Sequence, residues 1–320
     1  MAVMAGAGAP GLWRRTPPAV FPPIMGLFGL GLAWRRGVNS FGLPDGFAEA
    51  ILGAVTALYL FCLLAYLAKF LRRPAVLAED LRVLPGRAGV GAMVLCLYLV
   101  AAVALPYGPG LARSLLWVAV VVHAAMLVVL IRVFATGPAE QRRVTPVWHL
   151  NFVGFILAGL TAPAVGETAL AWAVLWVTGF IAVLIWAIGA RQLRTAPPPA
   201  PLRPLLSIHL APAAMLGVVA LGVGFENVAQ IFAVIAAVML ALLIIGLRWI
   251  TAAGFSPLWG AFTFPLAATS SLWIAIGGVW SVPGGIALIA ATPFVPWIAA
   301  RVLQLWAKGV LAAKTNAATA

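Results

Sequence analysis

Two aromatic residues, Phe262 and Phe264, lie on either side of Thr263 and directly before Pro265. Successive residues of a helix are about 100° apart, so the two rings point about 200° apart and cannot both face one path. One ring can pack against a neighbouring helix while the other projects toward an axis. At a proline bend such a ring can close a narrow neutral pore as a hydrophobic gate, and an aromatic packing pair is the alternative interpretation.

Ionisable residues are scarce in the apolar parts of the sequence. His123 falls near the centre of an apolar stretch, where an ionisable group is a functional candidate, although one interhelical hydrogen bond would also satisfy a neutral imidazole. We favour this structural interpretation, and Asn151 is a second polar candidate for the lining of a path. All seven acidic residues fall in loops or near the ends of apolar stretches, which weakens, without excluding, a proton-coupled mechanism.

Motifs for catalysis or cofactor binding are not found in the sequence. The histidines, cysteines and acids have no metal-ligand spacing, and Ser270 and Ser271 have no histidine or acid nearby in sequence for a catalytic triad. Glycines 26, 29 and 31 follow no strand, and no phosphate-binding loop occurs. We therefore expect no enzyme, no cofactor, no metal site and no nucleic-acid partner.

Composition indicates which elements must position the candidate residues. Hydrophobic residues make up 64% of the 320 residues and charged residues only 8%, which is too little to cover a soluble globule. Lipid offers no partner for an unpaired backbone group, so each membrane-spanning stretch must be helical. The sequence predicts an all-α polytopic membrane protein with ten spans: Pro18–Trp34, Phe47–Leu71, Arg87–Pro106, Leu111–Phe134, Val147–Pro163, Ala169–Ala190, Leu206–Gly224, Val228–Ile250, Pro257–Val279 and Pro283–Leu305.

The distribution of positive charge predicts the orientation of these spans. With the N-terminus in the cytoplasm, 17 Lys and Arg residues lie inside and only Arg35, Arg36 and Arg113 lie outside. We expect a multi-pass protein of the inner (plasma) membrane with both termini in the cytoplasm. Its parts would be a cytoplasmic N-terminal segment (1–17), a transmembrane domain (18–307) and a cytoplasmic C-terminal tail (308–320) in contact with the lipid bilayer.

Proline alternates along the first nine spans, and the tenth breaks the pattern with Pro283, Pro293 and Pro296. The second, fourth, sixth and eighth spans contain none, whereas Pro23, Pro163, Pro212 and Pro265 occur in odd-numbered spans. A proline removes a helical hydrogen bond, and the freed carbonyl must face protein or a wet cavity. The pattern favours five helical hairpins, with an inner ring of kinked odd helices around a pore and an outer ring of even helices. The alternative is that these prolines fall at helix ends, where they are tolerated.

Three stretches resemble one known family of membrane proteins. Residues 21–34 (FPPIMGLFGLGLAW) are similar to its first helix, residues 210–213 (LAPA) to its seventh, and residues 259–267 (WGAFTFPLA) to its ninth. The family is the TehA and plant slow-anion-channel family, also called the tellurite-resistance/dicarboxylate transporter family. Gly260 lies between the tryptophan and the alanine that are adjacent in the family pattern.

The resemblance implies a ring of five hairpins, assembled as a homotrimer with one pore per subunit. It assigns the pore gate to Phe264 and a packing role to Phe262. It implies a passive channel or facilitator for small inorganic or organic anions. The alternative is a secondary carrier of C4-dicarboxylate or sulfite-type anions. A tellurite-resistance phenotype is expected from family association alone.

Overall fold

The computed structural model describes Gly11, residues 13–38 and residues 41–320, and over these residues it contains helices and no strand. Most of the predicted N-terminal segment, residues 1–10 and Leu12, lies outside the described part. The α-helices are α1 (Phe21–Gly37), α2 (Gly46–Arg72), α3 (Ala75–Arg82), α4 (Leu84–Ala104), α5 (Pro109–Thr136), α6 (Thr168–Thr195), α7 (Leu210–Gly222), α8 (Glu226–Ile245), α9 (Leu247–Ile250), α10 (Thr263–Ile276), α11 (Ser281–Ala307) and α12 (Leu311–Lys314).

Eight helical stretches of the described chain are long and apolar enough to cross a bilayer. Two further apolar segments are shorter: α1 has 17 residues, and the segment His149–Leu160 is irregular. The predicted all-α polytopic membrane fold is confirmed, and the count of ten crossings remains a prediction. The polar backbone explains why helices dominate, because lipid leaves only intrahelical partners for each N–H and C=O group.

Burial separates inner from outer helices. In the most apolar window of α4, 83% of the residues are buried, and the value is 72% for both the α7 and the α10 stretches. The corresponding values for α2, α5, α6, α8 and α11 range from 17% to 39%. The helices of the third, seventh and ninth predicted spans (α4, α7 and α10) therefore lie in the protein interior, and those of the even-numbered spans (α2, α5, α6, α8 and α11) lie outside them. The proline pattern predicts this division except for α11, which is an outer helix and contains Pro293 and Pro296.

Three of the inner segments change helix type as they pass into the protein. Residues Pro18–Val20, Ala200–His209 and Pro257–Phe262 are 3-10 helices that continue directly into α1, α7 and α10. Pro23, Pro212 and Pro265 are each the third residue of the α-helix that follows. These prolines are tolerated because the first-turn N–H groups of an α-helix have no intrahelical acceptor. The change of helix type therefore comes less than one turn before each of these prolines.

The fifth segment contains no regular α-helix. It begins as a π-helix over His149–Val153 and continues as a 3-10 helix over Gly154–Leu160. Pro163 does not lie within this segment, because it starts a separate 3-10 turn, Pro163–Val165, that follows it. The irregular backbone is possible here because the segment packs on protein, chiefly on α6, α7 and α4.

The two ends of the described chain meet on one side of the molecule. The backbone N–H of Ala320 donates to the carbonyl of Arg14 at 3.0 Å. Nearby, a fully buried ion pair joins Lys69 and Asp80 at 2.8 Å, and Asp80 also accepts from the N–H of Ala318. We call this the terminal side and the other the opposite side.

Candidate conduit at the helix core

Two cavities lie along the inner ring, one toward each side of the molecule. The terminal-side cavity has a volume of about 40 Å³ and the opposite-side cavity has a volume of about 140 Å³. Each is large enough to accommodate at least one water molecule. Residues from all five odd-numbered segments line each cavity. The terminal-side lining includes Met25, Ala92, Leu150, Ala211 and Ala261, and the opposite-side lining includes Leu32, Leu99, Leu160, Met215 and Ala268.

Phe264 belongs to the walls of both cavities. Its side chain is only 6% exposed, and it lies in the first turn of α10, just after the change from 3-10 to α-helix. Gly29 of α1 allows the ring its position, since a β-carbon at Gly29 would lie 2.9 Å from Cδ2 of Phe264. The phenyl group of Phe264 therefore lies inside the circle of inner helices, between the two cavities.

The neighbours of Phe264 have different surroundings. The ring of Phe262 packs against Trp259 and against Phe294 of the outer helix α11, with centroid distances of 5.6 and 6.4 Å. The Thr263 hydroxyl is buried and donates to the carbonyl of Gly260 at 2.7 Å, so it satisfies the backbone and does not line either cavity. Gly26 of α1 leaves the space that the Thr263 side chain occupies.

Two arginines at the end of α1 line the opposite-side cavity, although the sequence led us to expect a neutral pore. Arg35 forms an ion pair with Glu49 at 2.6 Å and donates to the carbonyl of Ala102 at 3.0 Å. The exposed side chain of Arg36 donates through Nη1 to the hydroxyl of Ser271, and among the described residues it has no acidic partner. The signal was present, because Arg35 and Arg36 are two of only three cations on the side predicted to be poor in positive charge.

Tyr107 extends the Arg35–Glu49 pair beyond the end of α4. Its hydroxyl donates to Oε2 of Glu49 at 2.7 Å, and this bond to a carboxylate raises the pKa of Tyr107. Glu49 accepts hydrogen bonds from both Arg35 and Tyr107. Its negative charge therefore neutralises Arg35 and not Arg36. The net charge at the cavity comes from Arg36.

The polar candidates His123 and Asn151 contact each other, and neither is among the described residues that line the two cavities. Nε2 of His123 donates to the backbone carbonyl of Asn151 at 3.0 Å, and the Tyr98 hydroxyl donates to Nδ1 at 3.2 Å. The imidazole also stacks on Phe155 at 3.8 Å. The Asn151 amide donates to the carbonyl of Val147. These contacts tie α5 and α4 to the irregular fifth segment.

A histidine pair joins the fifth and seventh segments on the terminal side, where the sequence indicated no contact. Nε2 of His149 lies 2.9 Å from Nδ1 of His209, and Trp186 donates to the backbone carbonyl of His209. The partners come from segments 60 residues apart in sequence, so their contact depends on the tertiary fold. Among the described residues, no group of three or more His, Cys, Asp or Glu side chains forms a candidate metal site.

The predicted kink prolines differ in their relation to the cavities. Pro265 lines the terminal-side cavity, and Pro212 lines a narrower cavity of about 30 Å³ that also reaches Phe264. Pro23 is buried against Gly260, and its neighbour Pro22 lines the terminal-side cavity instead. Pro163 lies beyond the fifth segment and is not among the described lining residues of any of these three cavities.

Comparison with known families agrees with this architecture. The family model described as SLAC1, voltage-dependent anion channel, matches residues 15–306. The chain belongs to the SLAC1 family. The match covers α1 to α10 and α11 as far as Trp306, so it includes the lining of both cavities of this SLAC1-family protein and the Phe264 side chain between them. No curated protein matches the chain. The resemblance drawn from the three motifs is confirmed, and the protein is a multi-pass membrane protein of an anion channel and transporter family.

Proposed function

We propose that this protein is a passive anion-selective channel or facilitator and that Phe264 is its gate. The observation that carries the proposal is the position of the Phe264 ring between two cavities that all five inner segments line. An apolar ring in a narrow path excludes water and ions by dewetting, and a path reopens when the ring leaves the axis. In this proposal Phe262 is a packing residue, because its ring contacts the outer helix α11.

The walls of the cavities support passive movement over proton-coupled transport. The described residues that line the terminal-side cavity are all small or apolar, and none of the described residues lining either cavity is acidic. Proton-coupled carriers commonly use an intramembrane carboxylate as a relay. A secondary carrier of C4-dicarboxylate or sulfite-type anions is the alternative, and it predicts saturable, proton-linked flux in place of channel current.

The cellular setting of the proposal follows the charge distribution and the family resemblance. We place the protein in the inner membrane with the terminal side toward the cytoplasm, as the excess of Lys and Arg at that side predicts. The resemblance further supports a homotrimer with one conduit per subunit. A tellurite-resistance phenotype remains an expectation from family association, for which none of the described residues supplies a mechanism.

Anion flux from liposomes tests the proposal. Purified wild-type protein and the Phe264→Ala variant are reconstituted, and the efflux of chloride and nitrate is followed after a potassium ionophore removes the opposing voltage. We expect slow flux in the wild type, faster flux in Phe264→Ala, and no dependence on a proton gradient. Flux that saturates at low anion concentration and stops when the proton gradient is removed would support the carrier alternative instead.

A further inference from the structure

The opposite-side cavity has one cation whose charge is not matched by an acid. Arg35 is neutralised, since its Nε and Nη2 bind the two carboxylate oxygens of Glu49 at 2.6 and 2.7 Å and its Nη1 donates to a carbonyl. Arg36 has five N–H donors, and among the described residues only Nη1 has an acceptor, the hydroxyl of Ser271. Arg36, with donors that have no acceptor among the described residues, is therefore part of the lining of a cavity of about 140 Å³.

Ser271 completes a pair of donors on the same cavity. Its Oγ accepts from Arg36, which leaves the hydroxyl hydrogen available to a third group. The hydroxyl lies on α10, seven residues after Phe264, so the site and the gate share one helix. Hydrogen bonds between charged donors and anions are about twice as strong as neutral ones, and a bound anion would accept from both side chains.

We propose that Arg36 and Ser271 form a binding site for one small monovalent anion, such as chloride or nitrate, in the opposite-side cavity next to the Phe264 gate. The inference rests on the proposed channel function and names the ion class that this cavity selects. Apart from Arg35, whose charge Glu49 matches, the remaining described lining is small or apolar, with Leu32, Leu99 and Met215 among its members. One free guanidinium and one hydroxyl match a single negative charge, whereas a dicarboxylate would require a second unmatched cation.

The site also predicts an asymmetric conduit. The terminal-side cavity has no charged lining residue among those described, so only the opposite side concentrates anions at the gate. Clefts with one sign of charge and low-dielectric walls raise the local concentration of counter-ions by roughly 10- to 1,000-fold. The effect declines as salt screens the charge.

The test uses the full chain with an open gate. Liposome flux of chloride and of nitrate is measured for Phe264→Ala and for Phe264→Ala combined with Arg36→Gln, at low and at high ionic strength. We expect Arg36→Gln to lower the flux by about tenfold at low ionic strength, at the lower end of the focusing range, and by less at high ionic strength. Arg36→Lys keeps the charge and should restore most of the flux.

Matched variants separate the charge of Arg36 from general damage to the fold. Arg113 is another of the three cations predicted for that side; it forms an ion pair with Glu167 at 2.6 Å and does not line the cavity. Arg113→Gln should therefore leave the flux unchanged. Leu32→Glu places a carboxylate one helical turn before Arg36 and so neutralises it without removing it, while Leu32→Gln is its uncharged control. Leu32→Glu should lower the flux as Arg36→Gln does.

Failure of the site and failure of the channel give different results. If Phe264→Ala itself conducts no anions, the proposed function is refuted. If Phe264→Ala conducts and both Arg36→Gln and Leu32→Glu conduct equally well at low ionic strength, the anion site is refuted while the channel stands. The second variant keeps the proposal open to refutation if Arg36→Gln does not fold.

Discussion

Replacing Phe264 with alanine removes the ring that separates the two cavities and leaves the helices that line them in place. Only 6% of the Phe264 side chain is exposed, so moving the ring out of the axis in the wild type costs nearly the full burial energy of a phenylalanine. That energy is about 1.5–3 kcal/mol. Each 1.4 kcal/mol is a factor of ten in an equilibrium constant, so the closed ring is favoured by roughly 10- to 100-fold. We expect Phe264→Ala to raise anion flux by this factor.

A graded series makes the measurement specific to the ring. Phe264→Leu keeps part of the apolar bulk and should give an intermediate flux. Phe262→Ala is the matched control, because it deletes the same ring two residues away, where the side chain packs on Trp259 and Phe294. Single-channel recording in planar bilayers and liposome flux both report the change.

Two outcomes would show that Phe264 is not the gate. If Phe264→Ala leaves the flux at the wild-type level while the protein remains folded and reconstituted, the ring does not close the path. If Phe262→Ala opens the path and Phe264→Ala does not, the roles of the two rings are reversed. A thermal melt of each variant in detergent shows whether the fold is retained.

Two further predictions concern stability on the two sides of the molecule. Asp80→Asn breaks the fully buried pair with Lys69 and should lower the free energy of unfolding by about 3–5 kcal/mol, measured by thermal unfolding in detergent beside the partly exposed control Glu79→Gln, which should change it little. An unchanged melting temperature for Asp80→Asn would contradict this. The hydrogen bond from Arg113 lowers the pKa of Glu167, so its stabilisation is complete above the ordinary value of 4.5 and is lost as pH falls below it toward the lowered pKa. The melting temperatures of wild type and Glu167→Gln should differ at pH 7 and converge in acid, and a difference that grows in acid would contradict the sign.

The sequence predicted the class of fold and the separation of inner from outer helices. Both depend on local properties: apolar length, proline content and the distribution of positive charge. The type of helix in the inner segments was not predictable in this way. Whether Pro212 or Pro265 bends an α-helix or follows a 3-10 helix depends on the helices packed around it, and single-residue propensities do not contain that information.

The candidate site was predicted in part. Phe262 and Phe264 were separable only through the family resemblance, because the periodicity alone leaves open which ring faces the axis. The charge of Arg36 was missed as a feature of the path, since its significance depends on Glu49 neutralising Arg35 across two helices. Pairings of this kind between residues of different helices are set by packing, which the sequence pattern does not show.

The reversal potential of the open channel reports whether anions or cations carry its current. Phe264→Ala is recorded in a planar bilayer under a tenfold gradient of potassium chloride. For an anion-selective conduit we expect a reversal potential close to the chloride equilibrium value, about 59 mV in magnitude and with the sign of an anion current. A reversal potential of the opposite sign, near the potassium value, would contradict an anion-selective conduit through this ring of helices.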